Sequence, residues 1–144
     1  MKAATRSYLD ASQKARTVIR HITCKQGFCL IAEKDEMHAS LLSCMLEHAK
    51  LRSMIATNVE DAITILHEDG DNVICAVIDY YLNGSGNGLD VIREIEHRHS
   101  SIPYVVHTDS LKAASEVTGR FPNANVILKG QDLMRLLDAL GVSA

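Results

Sequence analysis

Short apolar runs separated by longer amphipathic stretches set the rhythm of the chain. Phe28–Ala32, Ser53–Thr57, Val73–Ile78, Ile102–His107 and Asn125–Leu128 are each too short for a free-standing helix, and Val73–Ile78 in particular is rich in β-branched residues. Such runs predict strands buried on both faces, as in a parallel sheet. Between them apolar residues recur at spacings of three and four, which predicts helices. Leu41, Leu42, Met45, Leu46 and Ala49 form one such face. Val59, Ala62, Ile63 and Leu66 form a second, with Asn58 as its N-cap and Asp61 at N3. Leu89, Ile92 and Ile95 begin a third after the flexible turn Asn83–Gly88. A short helix over Leu111–Thr118 should stop at Gly119, and Leu133, Leu136, Leu137 and Leu140 stripe the last helix.

Strands alternating with helices at these lengths predict an α/β fold with a doubly wound parallel sheet. Right-handed crossovers restrict the topology, and the common five-stranded solution is the flavodoxin-like (βα)5 order 2-1-3-4-5. Ahead of it stands an extra N-terminal helix. Over residues 3–22, Ala4, Tyr8, Ala11, Ala15, Val18 and Ile22 make one stripe, and basic residues occupy much of the opposite face. Charge sharpens the division. Residues 1–27 carry six basic residues against Asp10, a net of +5, so with a total of −3 the remainder carries −8. Two parts follow: a basic amphipathic extension, 1–27, and a domain, 28–144. The extension is expected to pack on the domain or to join two copies, since a lone amphipathic helix is marginal in water.

An apolar content of 47% with 23% charged residues fits an ordinary globular core, and neither a membrane-spanning run nor a secretory h-region is present. Cytoplasmic location is expected, and the acidic balance argues against nucleic acid as a partner. Cys24, Cys29, Cys44 and Cys75 lack paired spacing and are expected to be reduced core thiols. His97 and His99 stand two apart on a helix and face different ways, which argues against a metal site between them.

Four strands are followed at once by a polar group: Glu33, Asp79, Thr108 and Lys129. In a parallel sheet all four lie at the carboxyl edge, where open α/β sheets bind ligands. The order 2-1-3-4-5 places Glu33 and Asp79 on one crevice. The set suits phosphoryl transfer to a carboxylate. Asp79 would be the nucleophile, and Glu33 with the backbone carbonyl of Tyr81 would hold Mg²⁺. Thr108 and Lys129 would bind phosphoryl oxygens.

On these residues the chain resembles the receiver domains of bacterial two-component response regulators, over about residues 28–141. The matching pieces are LIAEKDEMHASLL, VIDYYLNGSGNGLDVIREI, IPYVVHTDS and NVILKGQDL. The resemblance implies Asp79 as phosphoacceptor, Thr108 as the hydroxyl residue and Lys129 as the phosphate-binding lysine. It implies a histidine kinase or phosphotransfer protein as donor, and a downstream protein target reached by docking. A single-domain regulator or an excised receiver is expected, and not an enzyme. The alternative is a pseudo-receiver that binds partners without phosphorylation. The departures are specific. Family members carry two adjacent acids after the first strand, where this chain has Glu33-Lys34, so Lys34 is expected to weaken Mg²⁺ binding. Asp35 falls one place late, and the loop from Asp79 to Gly88 is one residue long and lacks the usual Pro. Asp109 stands where a small residue is common. Val126 stands at the Tyr or Phe switch position, and Gly130 replaces a Pro.

Overall fold

In a computed structural model, the structure describes residues 27–130 and 133–141. The N-terminal stripe and Cys24, with all of the extension but Gly27, therefore lie outside the described residues. The order of elements is β1 (Phe28–Ala32), α1 (Glu36–His48), β2 (Arg52–Ala56), α2 (Val59–Asp69), β3 (Val73–Ile78), α3 (Gly88–Arg98), β4 (Tyr104–Thr108), α4 (Leu111–Arg120), β5 (Asn125–Leu128) and α5 (Leu133–Leu140). All five strands pair in parallel in the order β2-β1-β3-β4-β5, the flavodoxin-like arrangement that the alternation predicts.

Alternation along the strands builds two cores. Leu30, Ala32, Ala76 and Ile78 face one side, with Leu66, Ile92 and Ile95 from α2 and α3. Cys29, Ile31, Cys75 and Val77 face the other, with Leu42 and Leu46 of α1 and Leu136 and Leu140 of α5.

Several limits differ from the sequence pattern for physical reasons. β4 starts at Tyr104, not Ile102: Pro103 has no N–H to give the ladder, and its carbonyl accepts Ala76 N–H at 3.0 Å. β2 runs over Arg52–Ala56, one residue earlier than expected. α4 passes through Gly119 to Arg120 and ends where Phe121 N–H bonds to Val117 O, so glycine does not stop it. Leu41 and Leu42 do not share a face: Ala39, Leu42 and Leu46 are buried, whereas Leu41 is exposed. Cys29 and Cys75 are core thiols as expected, but Cys44 is exposed on α1.

The Asn58 cap stands as expected, and α1 and α3 carry caps of their own. Asn58 Oδ1 accepts Asp61 N–H at 2.7 Å and starts α2. Asn87 and Asp90 form a reciprocal capping box at α3. Asp35 caps α1, accepting the N–H groups of Met37 and His38.

Candidate functional site

The ladder itself aligns the site. Each of three polar residues continues the parallel hydrogen bonding one step past its strand. Glu33 N–H bonds to Ala56 O (2.9 Å), Asp79 N–H to Ala32 O (2.8 Å) and Lys129 N–H to Thr108 O (2.8 Å). Their side chains thus leave the sheet at one edge. Lys129 Nζ donates to Asp79 Oδ2 at 3.0 Å and sits 2.9 Å from Glu33 Oε1. One ammonium bridges the two carboxylates. Thr108 ends β4 on the same edge, fully buried, with its hydroxyl oxygen accepting Ser110 N–H at 3.2 Å.

Glu33 and Asp79 are both buried. Burial pushes the Glu33 carboxyl up to about 7, against the opposing pull of Lys129 and of the Asp35 N–H. Burial also works to lower the Lys129 pKa, but the hydrogen bonds to Glu33 and Asp79 outweigh it and hold the ammonium raised.

The segment after Asp79 is tied down, unlike the flexible turn its glycines suggest. Tyr81 N–H reaches Asp79 Oδ1 at 3.3 Å. Asn83 pairs its backbone with Thr57 and Val59, and Ser85 Oγ donates to Glu60 at 2.8 Å. Gly88 N–H closes the loop on Tyr80 O. Lys34 does not join the carboxylates. Its ammonium lies 5.8 Å from the centre of the Tyr81 ring, over its face.

Two residues escaped the sequence reading. His38 on α1 and His107 on β4 meet with Nε2 and Nδ1 3.3 Å apart, one donating and the other accepting. His38 Nε2 is also 3.8 Å from Glu33 Oε1. Burial holds both imidazoles below their ordinary pKa, and His107 falls to about 4. The one signal was His107 itself, a titratable residue inside the apolar run Val105-Val106-His107-Thr108. Tyr80, next to Asp79, donates its hydroxyl to Glu116 on α4 at 2.7 Å, and that bond pushes the phenol up to about 12.

The donors fit Mg²⁺ in kind. Glu33 and Asp79 offer hard oxygens that already converge on one cationic group, the Lys129 ammonium. Among the described residues no group of three or more His, Cys, Asp or Glu side chains is placed to hold a metal, so the set amounts to two carboxylates.

No protein-family model matches the chain. Over 87 residues it is 25% identical to the two-component response regulator ARR21 of Arabidopsis thaliana, covering 60% of this chain and 14% of that protein. The solved structures give a fuller overlap. The DNA-binding response regulator of the LuxR family from Staphylococcus aureus superposes with a TM-score of 0.69 at 19% identity, over 80% of this chain and 96% of that one. A response regulator receiver protein from Pseudomonas putida gives 0.69 at 19%, over 81% and 96%. A sensor protein from Polaromonas sp. JS666 gives 0.65 at 22%, over 81% and 94%. The chain resembles response regulator receiver domains and has their fold. Among the described residues no helix is long and apolar enough to cross a membrane.

Proposed function

We propose that the chain is a receiver module that accepts a phosphoryl group on Asp79 and signals by docking to another protein. The observation that carries this reading is Lys129, 3.0 Å from a buried aspartate at the carboxyl edge of a receiver-type sheet. In the step, an Asp79 carboxylate oxygen attacks the phosphorus of a phosphohistidine on a kinase or phosphotransfer protein. A P–O bond forms as the donor's P–N bond breaks, and the freed imidazole nitrogen takes up a proton. Lys129 transfers its hydrogen bond from Asp79 to the incoming phosphoryl oxygens, and Thr108 offers its hydroxyl beside them.

Glu33, Asp79 and the Tyr81 carbonyl are the groups that would hold Mg²⁺, whose charge would offset the phosphoryl oxygens. Lys129 already occupies the space between the carboxylates, and Lys34, its ammonium over the Tyr81 ring, stands where a second acid would add a ligand. Binding is therefore weak, by roughly tenfold or more for a nearby like charge. The reading also assigns the extension, 1–27, and the receiver, 28–144, separate roles, and a cytoplasmic location.

Intact mass after incubation with a small phosphodonor tests this. The native chain gains one phosphoryl group and Asp79→Asn gains none. Lys34→Asp binds Mg²⁺ more tightly than the native chain. Modification that persists in Asp79→Asn would move the site. No modification under any donor, with or without Mg²⁺, would leave the pseudo-receiver.

A further inference from the structure

Helix α1 is apolar on two sides. The first, Ala39, Leu42 and Leu46, is in the core. The second runs through Met37, Leu41, Cys44 and Met45 to His48 at spacings of three and four, and faces away from the sheet. Met37 is 84% exposed and Leu41 53% exposed. With Met134 and Leu137 of α5, Leu41, Cys44, Met45 and His48 line a groove of about 440 Å³. An apolar stripe of this kind along a helix marks an interaction site more often than chance exposure.

We propose that the occupant is the chain's own N-terminal segment, laid along α1 through Ala4, Tyr8, Ala11, Ala15, Val18 and Ile22. The tether fits. Phe28 pairs with Arg52, and only Lys50 and Leu51 separate Arg52 from Ala49 at the end of α1. The lower end of the groove and the entrance to β1 therefore share one edge of the sheet. Gly27 enters β1 at φ +94°, a left-handed turn that takes the preceding chain off the strand axis. Residues 23–26 span up to about 13 Å, enough to bring Ile22 beside His48 or Ala49. In a parallel sheet every helix returns toward the strand starts, so a helix over 3–22 that ends there runs alongside α1 in the same direction.

Length and charge agree. Twenty helical residues extend about 30 Å, against about 20 Å for the thirteen of α1. With Ile22 beside His48 in this direction the segment would reach past Met37, setting Arg6 within a turn of the exposed Asp35 and Glu36 and Arg20 beside the exposed Glu47. The net +5 of the segment is set against −8 on the rest of the chain. A segment so placed covers the α1 surface next to the site and competes with any protein that docks there. The inference stands on the groove and does not depend on chemistry at Asp79.

Cys44 lies in the groove and reports on its cover. The full chain is treated with a maleimide and each cysteine is followed separately by peptide mass. Cys44 in the native chain is expected to react roughly tenfold or more slowly than in the double variant Val18→Glu, Ile22→Glu, at every protein concentration. Leu41→Glu, which changes the groove instead of the segment, should release the same protection. Buried Cys29 and Cys75 should stay unmodified in all three proteins and so report an intact sheet. Equal Cys44 rates in the native chain and both variants would overturn the proposal. Protection that is lost on dilution would also overturn it, and would assign the groove to a second copy.

Discussion

The Lys129 ammonium reaches two buried carboxylates, and a pair of imidazoles, His107 buried and His38 half-buried, lies beside one of them, so the site titrates in two opposed directions. His107 has its folded pKa pushed down to about 4 by burial. The unfolded chain then binds the proton more readily, and this residue's contribution is complete above its ordinary value and is lost as pH falls from 6.5 to about 4. Glu33 is raised from 4.5 to about 7, so the folded chain keeps the proton longer, and its contribution is lost as pH rises through that window. Each effect is worth up to roughly 3 kcal/mol, and between pH 4.5 and 6.5 they oppose one another. His107→Gln should therefore lose stability relative to the native chain as pH rises across that window, and Glu33→Gln should gain it. Urea midpoints at the two ends of the window read both slopes, and slopes of the same sign in the two variants would exclude the assignment.

Gly88 shows what the loop between β3 and α3 demands. A Cβ there would sit 2.4 Å from the Asp79 carbonyl oxygen and 2.9 Å from Tyr80 Cα, both backbone atoms that cannot swing aside. Gly88→Ala should cost about 1–3 kcal/mol, seen as a lower urea midpoint with an unchanged slope. Gly119→Ala should do the reverse, by about 0.5–1 kcal/mol, because the helix there leaves open space around it. Equal effects at the two glycines would refute the steric argument. The contrast also shows how far the sequence could be read. β1, β3 and β5 were legible to the residue because polar groups bound their apolar runs, and Asn58 and Asp61 announced α2 by local chemistry. Gly119 looked like a stop because composition does not reveal whether a glycine has helical backbone. The two faces of α1 merged into one pattern, since Leu41 and Leu42 differ only in what lies opposite them. Chain order put Glu33, Asp79 and Lys129 on one edge. It carried no sign that a single ammonium would bridge them, or that His38 would meet a histidine 69 positions away.

Across the whole molecule the sheet belongs to both cores at once. β1 sends Leu30 and Ala32 to one side and Cys29 and Ile31 to the other, and β3 does the same with Ala76 and Ile78 against Cys75 and Val77. Neither layer of helices can leave without exposing strands that the other layer also needs. Local strength is therefore shared, and the site, fixed to the ends of those strands, has no independent support. Leu66 under α2 and Leu46 under α1 are both almost fully buried, on opposite faces. Truncating either to Ala should cost about 2–5 kcal/mol through lost transfer energy and the cavity left behind. If the faces are coupled through β1 and β3, each variant unfolds in one transition. Helix content by circular dichroism and tyrosine fluorescence, from a set of tyrosines that includes Tyr80 and Tyr104 on the Leu66 side, should then fall together in both. A separate early loss of helix in Leu46→Ala, with the tyrosine signal unchanged, would show that the α1 and α5 layer melts alone. In that case the orientation of Glu33 and Lys129 would not be held by the sheet as a whole.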